Sequence, residues 1–241
     1  MGVKTRHTCG VTAIPGQGQG GGTAAKRSPG RPPVPLDKIL ATALQILDEE
    51  GAEALSMRTL AQRLGSGTAT LYRHFDNRAA LIAHVIDRMF AEAEPGSAEL
   101  AEMGWQEACR TVARTMFAAL TRYRNLAPLL VEQIPIGPNA MALRERLLAV
   151  LLAEGFPPHL AARFYAMLSR FVLGFAIQVS GHATPGQPDD AQLASIFHGL
   201  GPSVFPATTA AADALPVPLD EEFGFGLELI LAGLAQLRDN S

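Results

Sequence analysis

The chain has 241 residues, 48% of them hydrophobic and 18% charged, which supplies a large core and excludes wholesale disorder. Its two cysteines, Cys9 and Cys109, stand far apart without CxxC or CxxH spacing, which excludes a disulfide scaffold or zinc finger and fits a reducing cytoplasm. The net charge of −3 hides a split: residues 1–88 carry eleven bases and seven acids, net +4, and residues 89–241 nine bases and sixteen acids, net −7, so an anionic partner suits only the N-terminal part.

Residues 1–32, rich in Gly, Gln, Thr and Pro, read as a flexible basic tail. The run Gly16 to Gly22 follows no strand and precedes no Gly-Lys-Ser/Thr, so it is no phosphate loop. Lys4 and Arg6 are followed by too few apolar residues for a secretion signal. Lys26 to Arg31 form a basic arm that places Arg31 for a minor groove; the alternative is a solvated leader.

From Leu36 the pattern turns helical, with Ile39, Leu40, Ala43, Leu44, Ile46 and Leu47 at three- and four-residue spacing and Gly51 as a stop. Ser56 caps a short helix bearing Leu60 and Leu64. Gly65-Ser66-Gly67 interrupts it, and a second short helix over Thr68–Phe75 completes a helix-turn-helix. A longer helix runs from about Arg78 towards Pro95. Further helices are expected at about 105–124, 126–133, 139–154, 158–180 and 220–237, with no strand pattern. The charge-free stretch Ala191–Ala212 holds Pro202 and Pro206, so it reads as a loop with a short helical part rather than a membrane span. The fold class is all-α: a helix-turn-helix domain over residues 33–94 and a helical ligand-binding and dimerisation domain over 95–241.

Phe223, Leu227, Ile230, Leu234 and Leu237 follow heptad spacing, as do Leu160, Phe164, Met167, Phe171 and Gly174. Two such helices from each of two subunits would make a four-helix dimer interface, near 158–180 and 220–237; the alternative is that both rows face the chain's own core. Trp105, Cys109, Met116, Phe117, Met167, Phe171 and Phe175 are candidates to line a pocket between helices, and are also ordinary core residues.

In the helix-turn-helix, Leu55, Leu60, Ala61, Leu64 and Leu71 hold the helices together, and the small and polar residues face outwards. Thr68, Ala69 and Thr70 allow close approach to a groove. Tyr72, His74 and Arg78 add phosphate donors, and Ser56 and Arg58 do so from the preceding helix. For His74 the alternative is helix packing. The histidines show no i, i+4 pair, so no metal or other cofactor is expected, and no nucleophile–base–orienter set suggests an enzyme.

The ordered string from Leu55 to Arg78, with Leu71-Tyr72-Arg73-His74-Phe75 at its centre, resembles the DNA-binding module of the TetR (tetracycline-repressor) family of transcriptional regulators. Gly104-Trp105-Gln106 and Phe223 to Ile230 resemble that family's ligand-binding domain. The resemblance implies a cytoplasmic homodimer in which Thr68, Ala69 and Thr70 face operator bases and Tyr72, His74 and Arg78 its backbone. It further implies a repressor released by a small-molecule effector. Tetracycline repressors hold a magnesium-bound drug with histidines; the aligned positions here are Glu94 and Leu130, and Val112 replaces a drug-reading asparagine. The expected effector is therefore hydrophobic. The alternative function is a helical small-molecule-binding protein with no DNA role.

Overall fold

The computed structural model describes residues 34–93, 96–181 and 188–239, and no strand occurs among them. Arg31 and its basic arm lie outside the described residues, as does Glu94. The N-terminal helices are α1 (Leu36–Glu50), α2 (Met57–Arg63), α3 (Thr68–Leu71) and α4 (Arg78–Glu92). All six apolar residues that mark α1 in the sequence are buried in it.

Ser56 Oγ caps α2 by accepting from the Thr59 N–H at 3.0 Å. The helix ends in a Schellman motif, with the Gly65 N–H donating to the Gln62 carbonyl and the Ser66 N–H to the Ala61 carbonyl, both at 2.9 Å. That motif requires a left-handed residue at position 65, where φ is +58°, so a glycine breaks the pair there.

α3 is a single turn rather than the longer helix expected over Thr68–Phe75. The Tyr72 and Phe75 N–H groups still bond back to Thr68 and Leu71 at 3.0 Å. Asn77, however, is already extended as the cap of α4, its side chain accepting from the Ala80 N–H at 2.9 Å, and the chain turns early to reach it. Buried Phe75 fixes this turn edge-on against the His84 ring, 5.1 Å away.

The body comprises α5 (Ser97–Glu102), α6 (Trp105–Arg122), α7 (Leu129–Glu132), α8 (Pro138–Ala153), α9 (Pro158–Gly181), α10 (Asp190–His198), α11 (Pro206–Ala210) and α12 (Leu219–Asp239). α6 packs on α8, α9 and α12, and α4 packs on α1, α6 and α8. A single apolar cluster therefore runs from Ile39 in α1 to Leu234 in α12, without a break between head and body. α5, α10 and α11 escape the periodicity; α10 buries none of its residues and stands on the Asp189–Gln192 capping box instead.

Over Pro158–Val179, α9 is long and apolar enough to cross a membrane by length and composition. Here it is a body helix whose Phe164, Leu168, Val172 and Ala176 are buried at four-residue spacing.

The heptad rows divide between the core and the surface. Phe223, Leu227, Leu234 and Phe164 are buried in the chain's own core, and Phe171 is half-buried against Phe223 at 5.3 Å. The rows' members Met167, Gly174 and Leu237 are exposed, and the outward face of α12 also carries Phe225 and Leu229, 69% and 57% exposed.

Candidate nucleic-acid interface and effector cavity

The helix-turn-helix presents an outward surface because Leu60, Ala61, Leu71 and Phe75 turn inwards. Thr68 and Ala69 are exposed, Thr70 is half-exposed, and Tyr72 is exposed beyond them. His74 is exposed, its ring in tilted contact with Phe75 at 6.0 Å. Arg58 and Arg73 are exposed, with no carboxylate partner among the described residues. Arg63, by contrast, is tied to Glu49 at 2.7 Å and to Glu50. Arg73 is a phosphate-donor candidate that the sequence reading passed over, although it sits between two residues singled out.

Two head residues have other work. Arg78 donates from Nε to the Leu55 carbonyl at 2.6 Å and from Nη2 to the Ala52 carbonyl at 2.7 Å. Both contacts hold carbonyls in the turn between α1 and α2, and three of its five N–H donors lie outside them on an exposed side chain. Ser56 Oγ lies 2.8 Å from Thr59 Oγ1 besides capping α2, so its hydroxyl is occupied within the protein.

In the body a cavity of about 540 Å³ opens between α4, α6, α8, α9 and the segment that joins α7 to α8. That volume suits a drug-sized ligand. Phe90 lines it from α4, Val112 and Met116 from α6, Leu130 from α7, Leu147 from α8, and Tyr165 and Leu168 from α9. Val112, Met116 and Leu130, candidates from the sequence, stand on this wall.

The remaining pocket candidates are corrected. Trp105 is buried edge-on against Phe156 at 4.9 Å, beneath the Arg238 guanidinium. Phe117, Phe171 and Phe175 surround Phe223 at 4.2 to 5.6 Å, an aromatic cluster that fastens α12 to α6 and α9. Gly226 makes room for it, since a Cβ there would sit 2.9 Å from Phe171. Met167 lies on the exposed side of α9. Cys109 is fully buried, and burial pushes its thiol up to about 12 against the opposing pull of Arg110, so it is a neutral core residue.

Head and cavity meet through Asp87 on α4. Its Oδ1 accepts from the Asn139 and Ala140 N–H groups at 3.0 and 3.1 Å, and its Oδ2 from Asn139 Nδ2 at 2.8 Å. A carboxylate from α4 thus supplies the N-terminal cap that α8 lacks in its own sequence, where Gly137 has no side chain. Only glycine fits there, because a Cβ on Gly137 would lie 2.2 Å from Asp87 Oδ1.

An exposed helix-turn-helix surface above a hollow helical body, joined by one helix, defines a ligand-responsive DNA-binding regulator. Residues 39–85 match the tetR family of bacterial regulatory proteins, and residues 98–238 match the tetracyclin repressor-like C-terminal domain. The chain is 31% identical to the HTH-type transcriptional repressor DrrR1 of Streptomyces coeruleorubidus, over 88% of this chain and 82% of that one. It is 29% identical to the class G tetracycline repressor of Vibrio anguillarum, over 84% and 95%. The crystal structure of the Streptomyces coelicolor TetR family protein ActR with actinorhodin superposes with a TM-score of 0.74 at 35% identity, covering 86% of this chain and 99% of that one. The chain belongs to the TetR family and is a DNA-binding transcriptional repressor under small-molecule control. The alternative of a ligand-binding protein without a DNA role is thereby set aside, and its relatives are transcriptional regulators rather than enzymes.

Proposed function

We propose that the chain acts in the cytoplasm as a homodimer that holds an operator through its head, residues 33–94, and releases it when a hydrophobic effector fills the cavity of residues 95–241. In this reading Thr68, Ala69 and Thr70 approach base edges, and Tyr72, His74, Arg58 and Arg73 hold the phosphate backbone. The observation that carries it is the continuity from the exposed α3 surface, through α4, to the cavity wall. Two α3 turns must lie about 34–36 Å apart to enter successive major grooves, so a modest shift of α4 is enough to misplace one of them.

Dimerisation is supported by the outward faces of α9 and α12, which carry Met167, Phe225 and Leu229. A Cβ added at Gly174, Gly224 or Gly233 would meet nothing within 4 Å among the described residues beyond its own stretch of helix, so a second backbone has room to approach. The effector class is supported by the apolar cavity, and by the bound actinorhodin in the similar ActR structure. The effector acts by favouring the dimer with the wrong spacing, and shifts the equilibrium by no more than its differential affinity for the two states.

The test is binding of the purified protein to the DNA upstream of its own gene. Thr70→Ala and Tyr72→Ala are expected to weaken that binding at least about tenfold, the worth of one good contact, with unchanged melting temperatures. Variants that bind as tightly as the parent would overturn the assignment of this surface.

A further inference from the structure

Between residues 89 and 241 acids outnumber bases sixteen to nine. The cavity inverts that balance: among the described residues its charged lining consists of Arg144 and Arg170, with no Asp or Glu. Neither guanidinium pairs with a carboxylate among the described residues.

Both are held in place. Arg144, from α8, stacks 5.3 Å above the Tyr165 ring, with Nη1 on Met141 Sδ at 3.0 Å and Nη2 on the Pro135 carbonyl at 3.4 Å. Arg170, on α9, donates from Nη1 to the Ala166 carbonyl at 3.1 Å. A guanidinium carries five N–H donors, so each keeps donors free for a ligand.

Val112, Met116, Leu147 and Leu168 make the rest of the wall apolar. Arg144 is half-buried and Arg170 exposed at the cavity wall, so a neutral ligand offers them only uncharged acceptors and a cationic one repels them. An anionic group returns charge-assisted hydrogen bonds, bidentate in the case of a carboxylate. We propose that the effector is an amphiphilic acid, an apolar ring system bearing a carboxylate, and that Arg144 and Arg170 select the acid. This rests on the reading of the cavity as the effector site.

Anthraquinone-2-carboxylate and its methyl ester, similar in shape but anionic and neutral respectively, separate the two questions. By calorimetry at neutral pH the acid is expected to bind about tenfold or more tightly than the ester, since one charge-assisted contact is worth that much. In Arg144→Gln/Arg170→Gln the acid falls to the affinity of the ester while the ester is unchanged, and added salt narrows the gap in the parent protein. Equal affinities in the parent, or a preference for the acid that survives in the double variant, would overturn the selection by charge. If neither compound binds, or if both still bind after Met116→Trp fills the cavity, the effector-site reading itself fails. The melting temperature of each variant shows that it remains folded.

Discussion

Glu92 stands where three helices meet. Its Oε2 accepts from the Tyr123 hydroxyl at 2.6 Å, just past the end of α6, and its Oε1 from Arg88 Nε at 3.1 Å. Arg88 in turn reaches Asp37 on α1 at 3.3 Å. Burial pushes the Glu92 carboxyl up, but the Tyr123 hydroxyl and the Arg88 guanidinium outweigh it and hold the group below its ordinary value. A carboxyl depressed in the folded state contributes stability that is fully present above its ordinary pKa, about 4.5, and is lost as pH falls through the folded value. Glu92→Gln is therefore expected to melt below the parent at neutral pH, with a gap that closes in acid below about pH 4.5. A gap of constant size across that range would show that the contact does not depend on the charge.

Between elements, the informative contact is the cap that α4 gives α8. Gln133, Ile134 and Pro135 wall the cavity on one side, and with Ile136 and Gly137 they line a small hollow beside Asp87 on the other. A ligand that displaces this segment must move the start of α8 relative to Asp87, and α4 carries that displacement towards the head. Asp87→Asn keeps one acceptor but turns an amide towards Asn139 Nδ2 and removes the charge. The expected cost is about 1–3 kcal/mol of stability, the range for a broken buried hydrogen bond to a charged group. A weaker effect of effector on operator affinity is expected alongside it. Thermal melting reads the first, and operator titrations with and without effector read the second. An unaltered ratio of the two operator affinities would remove Asp87 from the coupling.

For the whole molecule, the proposed dimer explains apolar side chains that one copy leaves in water, Phe225 and Leu229 on α12 and Met167 on α9. Phe225→Glu with Leu229→Glu puts four like charges into a two-fold interface and spares the buried row of Phe223, Leu227, Leu231 and Leu234. Sedimentation is expected to show a folded monomer, and operator affinity is expected to fall because two heads no longer bind as one unit. A dimer that persists would move the interface elsewhere.

Local chemistry was legible in the chain because helix caps, glycine stops and apolar periodicity act within about four residues. Ser56, Gly65 and the string Leu71 to Phe75 therefore marked the head, and family membership agrees with that reading. The long body helices were legible for the same reason, whereas α10, which buries nothing, left no periodic trace. Tertiary structure alone decided how the charges and apolar faces are used. Arg78 meets carbonyls 23 and 26 residues away while Arg73 stays open to solvent, and Asp87 caps a helix 52 residues further on. Which apolar row of α12 turns inwards depends on Phe117, Phe171 and Phe175, which lie far from it in the chain. A pair of residues so far apart carries no spacing to read, and only packing brings them together. The split between +4 and −7 belongs to the sequence, but the placing of two arginines in the cavity of the acidic half belongs to the fold.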